Sequence, residues 1–198
     1  METTARLLQE RGYHGAGLRD VLAKSGSPRG SLYFHYPGGK EELAAEAIAY
    51  AGARMTDHLR TLLAPTDDIG AAIARITSMF EKQLVASGFK RGCPVGPTAL
   101  EDISGAHLRE AMTTAFVEWH EVITERLRRE GHSATRAAAL ATFGLAAIEG
   151  ALLLAKAKRD VGPLRCAALE LGQVLRSPSM KRNRRPAQPR RKTKGAGR

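Results

Sequence analysis

Residues 18–40 read LRDVLAKSGSPRGSLYFHYPGGK. Leu18, Val21 and Leu22 are spaced to cover one face of a helix over 18–25. Gly26 is a stop signal, because glycine accepts the left-handed conformation that ends helices. Ser27 can cap a following helix, and Pro28 suits its first position, where no backbone donor is needed. That second helix runs over 28–35 and breaks at Tyr36-Pro37-Gly38-Gly39. Two short helices joined by a tight glycine turn form the helix-turn-helix pattern, whose second helix enters a DNA major groove.

The second helix is composed for that task. Arg29, Ser31, Tyr33 and His35 supply donors, Leu32 anchors the helix to a core, and Gly30 lets backbone approach closely. Lys40 then opens a third helix at its positive end. A cation there opposes the helix dipole by a few tenths to about 1 kcal/mol. The placement makes sense if Lys40 and the helix end together face a phosphate. Glu41 and Glu42 offset the charge. On pattern alone, a surface helical hairpin with scattered charges is the alternative.

Outward from this stretch the chain reads as helix throughout. Residues 3–11 form a first helix with Ala5 and Leu8 inward, ended by Gly12. Over 40–63, Leu43, Ala47, Ala51, Met55, Leu59 and Leu62 recur with the period of one helix face, long enough to leave the head and enter the body. Residues 64–68 break the chain with capping side chains. Ile69, Ile73, Ile76, Phe80 and Leu84 mark the next helix, to about residue 86. Residues 87–104 are irregular, with Gly88, Gly92, Pro94, Gly96 and Pro97. They form either a pocket mouth or an ordinary connection with a short helix near 98–103. Ser104 is expected to cap a helix to about residue 130, with Leu108, Met112, Phe116, Trp119, Ile123 and Leu127 as its stripe. Residues 137–155 are almost wholly apolar. A membrane span is disfavoured by Glu149 deep in the run and by the many Ala and Gly residues, so a buried, partner-facing helix is expected. Val161, Leu164, Ala168, Leu171 and Leu175 mark a last helix, with Asp160 as cap and Pro163 in its first turn.

The net charge of +11 is uneven. Lys181, Arg182, Arg184, Arg185, Arg190, Arg191, Lys192, Lys194 and Arg198 lie in the last stretch with no acid among them, and without them the balance falls to +2. Poor in large apolar residues, residues 177–198 are expected to be disordered and to strengthen non-specific, salt-sensitive DNA binding. The two cysteines, Cys93 and Cys166, lack metal-ligand spacing and suit a reduced cytoplasmic interior. No signal peptide is read at the polar N-terminus. No catalytic constellation emerges. Gly38-Gly39-Lys40 lacks the rest of a phosphate loop, and none of the six histidines forms a close helical pair with another. No cofactor or metal is expected, and the protein is read as a non-enzyme.

The body is better used as a ligand pocket. Candidate linings are Met79, Phe80, Gln83, Cys93, Met112, Phe116, Trp119, His120, Phe143 and Glu149. Glu149 is the most informative. A carboxylate in an apolar helix must be paired, hydrogen-bonded or protonated. It can receive a cationic or donor-bearing ligand, or pair with an Arg or His across a dimer.

Gly12-Tyr13, then Gly17-Leu18-Arg19-Asp20-Val21-Leu22-Ala23, then Gly26-x-Pro28-x-Gly30-Ser31-Leu32-Tyr33-Phe34-His35-Tyr36 and Lys40-Glu41-Glu42-Leu43, together resemble the DNA-binding domain of the TetR family of bacterial transcriptional regulators. The resemblance implies DNA contacts from Arg19, Arg29, Gly30, Ser31, Tyr33, His35 and Lys40. Tyr33 and Lys40 would hold phosphates, Arg29 and Ser31 would read bases, and His35 could do either. Arg91-Gly92-Cys93-Pro94-Val95-Gly96, followed by Ala99-Leu100-Glu101, resembles the ligand-binding half of the LmrA/YxaF branch.

The expected architecture is all-α. Residues 1–45 form an N-terminal three-helix helix-turn-helix domain. Residues 46–176 form a C-terminal helical effector-binding and dimerisation domain, and 177–198 are the basic tail. The expected partners are double-stranded operator DNA, a second copy in a homodimer and an unidentified small-molecule effector, with no membrane. The implied function is a cytoplasmic repressor released by its effector. The rival reading is an architectural nucleic-acid-binding protein acting through the tail.

Overall fold

The computed structural model describes residues 1–26, 32, 34–64 and 68–176. Among these the regular structure is helical throughout. In chain order the helices are α1 (Glu2–Gly15), α2 (Leu18–Ser25), α3 (Lys40–Leu63), α4 (Ile69–Ala86), α5 (Gly96–Ala99), α6 (Ala106–Arg129), α7 (Ala134–Lys158) and α8 (Gly162–Val174). Between α2 and α3, Leu32, Phe34 and His35 are helical, while Arg29, Gly30, Ser31 and Tyr33 lie outside the described residues. So does the expected disordered tail.

Local chemistry sets most of these boundaries. α2 ends where Gly26 turns left-handed (φ 68°, ψ 14°) and donates its N–H to the Leu22 carbonyl. Asp68 caps α4 through the Ala71 N–H, and Ser133 caps α7 through the Arg136 N–H. Pro163 occupies the first turn of α8, whose N-cap is Val161 and not the expected Asp160; Asp160 Oδ1 accepts from the Gly162 N–H at 3.1 Å, inside the turn that leads into the helix. The end of α3 is closed from outside. Buried Arg126 donates to the Leu63 carbonyl at 2.8 Å, and Arg75 donates to that of Leu62. These are carbonyls that a helix terminus cannot satisfy by itself.

Three expected boundaries move. Gly12 kinks α1 instead of ending it: at φ 70°, ψ −175° it redirects the chain, and the helix continues to Gly15. The short helix falls at Gly96–Ala99 rather than at 98–103, because Pro97 takes a first-turn position and Ile103 lies beyond it. Ser104 is not the cap of α6; Gly105 holds that place, without a side-chain bond.

The head packs Leu7, Leu8, Val21 and Leu32 against Leu43, Ala47 and Ile48 of α3. α3 then runs along α6 in the body. The two helices approach closely at Gly52, where an added Cβ would stand 2.8 Å from that of Ala115. Trp119 Nε1 donates to the Gly52 carbonyl at 3.1 Å, so the indole is fixed beneath α3. α7 packs on α6 and α8, and α8 on α4. By length and composition α7 could cross a membrane. It instead buries Leu140, Ala141, Ile148, Leu152 and Ala155 within the body. Its other side carries Phe143, Ala146, Gly150 and Leu153, spaced three or four apart; Phe143 and Leu153 are more than half exposed. On α8, Cys166 and Leu169 are exposed as well.

Candidate functional site

Two places could carry function, the head and a cavity behind it. In the head, Arg19 lies exposed on α2. His35 is exposed after Leu32, whose side chain is buried as the anchor. Phe34, which sequence reading passed over, is 82% exposed, its ring edge-on to His35 at 5.1 Å. An exposed phenyl ring is the kind of apolar group that meets a thymine methyl in a major groove. Periodicity could have flagged it, since Leu32 facing inward turns Phe34 outward.

Lys40 sits differently from a plain phosphate ligand. Its ammonium lies 4.5 Å from the centre of the Tyr13 ring and donates to the His14 carbonyl at 3.4 Å. Burial lowers its pKa below the ordinary lysine range, opposed by the nearby Glu101 carboxylate. Lys40 therefore ties the start of α3 to the end of α1.

The kink at Gly12 frees the next backbone donors, and Glu101 takes them. Its Oε2 accepts from the Tyr13 N–H at 2.7 Å and from the His14 N–H at 3.1 Å. Gln9 donates to the Gly92 carbonyl, and His14 Nε2 lies 3.4 Å from the Asp102 carbonyl. The second half of α1 is thus stitched to the segment 87–105 at three points. No periodic signal announces such contacts, because they join residues more than 80 positions apart.

The same segment walls a cavity of about 50 Å³. Phe80, Cys93, Trp119 and Glu149, four of the ten pocket residues expected from sequence, line it. The rest of the wall was missed: Met55 and Leu59 of α3, Ile73 of α4, Pro94 and Ile148 among others. These residues lie on stripes legible as buried, but a stripe does not reveal whether it faces packed neighbours or a void. The other six expected residues lie outside the cavity. Gln83 faces a separate surface depression beside Arg91 and Pro94. Phe116 packs edge-on to Trp119 at 5.1 Å, His120 Nε2 donates to the Ala138 carbonyl at 3.0 Å, and Phe143 is exposed. Met79 and Met112 do not line it either.

Glu149 is the only charged side chain in that wall among the described residues. Burial raises its pKa above the ordinary glutamate value, partly offset by a hydrogen bond from Cys93. Cys93 Sγ accepts the N–H groups of Val95 (3.4 Å) and Gly96 (3.2 Å). Burial first, and the Glu149 carboxyl second, push its thiol well above the usual range. A thiol held in this way acts here as a structural group, closing the turn at residues 93–96. Among the described residues no cluster of His, Cys, Asp or Glu could hold a metal ion.

Comparison with known proteins places both halves. The sequence pattern described as bacterial regulatory proteins, tetR family, matches residues 1–47, and that described as transcriptional regulator LmrA/YxaF-like, C-terminal domain, matches residues 70–170. The HTH-type transcriptional regulator LmrA of Bacillus subtilis (strain 168) is 36% identical over 83% of this chain and 88% of its own length. Among solved structures, the reduced form of E. coli NemR superposes with a TM-score of 0.72 at 25% identity, covering 86% of this chain and 91% of that one. A cysteine variant of the regulator CifR, solved with 26 bp double-strand operator DNA, superposes at 0.70 with 24% identity, covering 88% and 92%. That last likeness concerns the fold alone.

Proposed function

The chain belongs to the TetR family of bacterial transcriptional regulators, DNA-binding proteins rather than enzymes, and on that premise we propose that it is a homodimeric, cytoplasmic repressor released from its operator by a small-molecule effector. One observation carries the reading. The segment 87–105 forms a cavity wall at Cys93 and Pro94 and holds the head through the Gly92 and Asp102 carbonyls and the Glu101 carboxylate. A ligand that needs more room than about 50 Å³ must move this wall, and with it the seat of α1. The release is then a population shift. DNA selects the head placement of the closed cavity, the effector selects that of the open one, and the difference in affinity sets the response.

The outward faces of α7 and α8 support the dimer. Phe143, Leu153 and Leu169 leave an apolar surface that a second copy can cover about a two-fold axis. Two recognition helices about 34–36 Å apart then face successive major grooves of a roughly palindromic operator. CifR, with the same fold, was captured on double-strand operator DNA. In the head, Arg29 and Ser31 are assigned to base edges and Tyr33 to phosphate, with Arg19, Gly30 and His35 beside them. Lys40 supplies positive potential from the seam between α1 and α3. Residues 1–45 act as the head, 46–176 as the effector and dimer body, and 177–198 as a non-specific electrostatic aid.

The test is binding of the full chain to its own upstream DNA against scrambled DNA, at two salt concentrations, with and without residues 177–198. Tail-independent preference for one palindromic site supports the regulator. Salt-labile binding that ignores sequence and vanishes with the tail overturns it in favour of an architectural protein.

A further inference from the structure

We infer that the effector is an apolar molecule carrying one cationic nitrogen, seated in the cavity with that nitrogen on the Glu149 carboxylate in place of the Cys93 thiol. This rests on the cavity being the effector site.

The wall restricts the ligand from several sides. Apart from Glu149 and Cys93 it is made of aliphatic and aromatic side chains, together with Pro94 and Gly144. A ligand with many polar groups would leave them without partners there. Trp119 has its single donor committed to the Gly52 carbonyl, so it offers the cavity only a ring face or edge. Lys156, further along α7, interacts with Cys93 but does not line the cavity, so an anionic ligand would meet a carboxyl and no cation.

Glu149 is under-served as it stands. Its side-chain partner is a thiol, a weak donor, and burial has pushed the carboxyl toward its neutral form. A ligand ammonium reverses this. It gives the carboxylate a cationic partner, and such a charge-assisted bond is about twice as strong as a neutral one. Trp119 and Phe80 add ring faces that favour a cation.

The exchange of partners also opens the cavity. About 50 Å³ is too small for an aromatic ring, since a cavity of roughly 150 Å³ is what holds benzene. A nitrogen seated on Glu149 takes space against which residues 93–96 are packed, so these residues move outward. Gly96 lies against the same carboxyl: an added Cβ there would stand 2.9 Å from Glu149 Oε2. The recognition step and the step that moves the wall are therefore one event at one side chain.

The test uses three probes of one shape and different charge: phenylbutylamine, phenylbutanol and phenylbutyrate. Binding to the full chain is read from the fluorescence of Trp119, the one tryptophan in the sequence and part of the cavity wall. Phenylbutylamine is expected to bind about tenfold more tightly than phenylbutanol, the least that a charge-assisted bond supplies, and phenylbutyrate most weakly. Glu149→Gln should bring the amine down to the level of the alcohol, and Gly96→Ala, which crowds the carboxyl, should weaken the amine more than the alcohol. Equal binding of amine and alcohol, absence of a Trp119 response to the amine, or an amine preference that survives Glu149→Gln overturns the inference. Operator release is measured separately. An amine that binds at Trp119 without releasing DNA overturns the effector reading and leaves the ligand class standing. Release by the alcohol or the acid without amine preference does the reverse.

Discussion

Glu101 accepts the backbone N–H of Tyr13 at 2.7 Å, joining the head to the body across 88 positions of sequence. The same oxygen takes the His14 N–H, so one carboxylate satisfies two donors released by the kink at Gly12. Replacing it should loosen the head without touching the cavity or the DNA-facing residues. Glu101→Ala is expected to cost about 1–3 kcal/mol, the range for hydrogen bonds to a charged group. Thermal melting checks the loss. Operator titration with effector should show a weakened response to ligand, while an unchanged response would remove Glu101 from the relay.

Gly12 has both of the reasons that make a glycine irreplaceable. Its φ of 70° with ψ near 180° is almost confined to glycine, and an added Cβ would fall 2.0 Å from Glu101 Oε1. Gly12→Ala is therefore expected to destabilise by about 1–3 kcal/mol. Gly17, with φ −72° and no atom within 4 Å of an added Cβ, serves as the comparison. Gly17→Ala should cost no more than about 1 kcal/mol by denaturant titration.

The raised pKa of Glu149 has a definite sign in stability. The folded protein holds this proton to higher pH than the unfolded chain, whose glutamate titrates near 4.5. Stability from this group is full below that value and is lost as pH rises through the folded pKa. The difference in melting temperature between wild type and Glu149→Gln should accordingly grow in favour of the variant as pH rises from about 4.5. A flat difference would show that Glu149 stays ionised without penalty.

DNA readout separates two kinds of contact. Arg29→Ala is expected to cost about 1–3 kcal/mol and to relax preference at one base pair. Equal loss on every sequence would reassign Arg29 to phosphate. Lys40→Ala should weaken all sequences alike and reduce the salt slope. Because its ammonium also holds the His14 carbonyl, the variant should melt lower as well. A lower melting point with an unchanged slope would leave Lys40 as a purely structural tie.

The outward face of α7 makes a further prediction. Leu153→Asp places a charge in the apolar patch and should convert a dimer to monomer in light scattering, with operator affinity falling alongside. A variant that remains dimeric places the interface elsewhere.

Much of the fold was legible because its signals are local. Gly26, Asp68 and Pro163 act on backbone groups within four residues, and each stands at a helix end where its chemistry requires it. The stripe Leu43, Ala47, Ala51, Leu59 needs only the helical period to be read as buried. The site was legible in part. Phe80, Cys93, Trp119 and Glu149 were identified as pocket candidates, but so were Gln83, Phe116, His120 and Phe143, which share their helices and face other ways. Lys40 was legible as a cation at a helix start and not as a partner of Tyr13.

By itself, then, the sequence determined the class of protein: helices, their order, the turn between the first DNA-binding helices, and the family. These depend on neighbours in the chain and on backbone preferences that any context preserves. Tertiary structure alone decided that Glu101 closes over the kink at Gly12, that residues 87–105 serve both head and cavity, and that Glu149 meets Cys93 in an otherwise apolar wall. Such relations arise from how helices far apart in the chain pack together. Their energies come from burial and from pairings that exist only once that packing is complete.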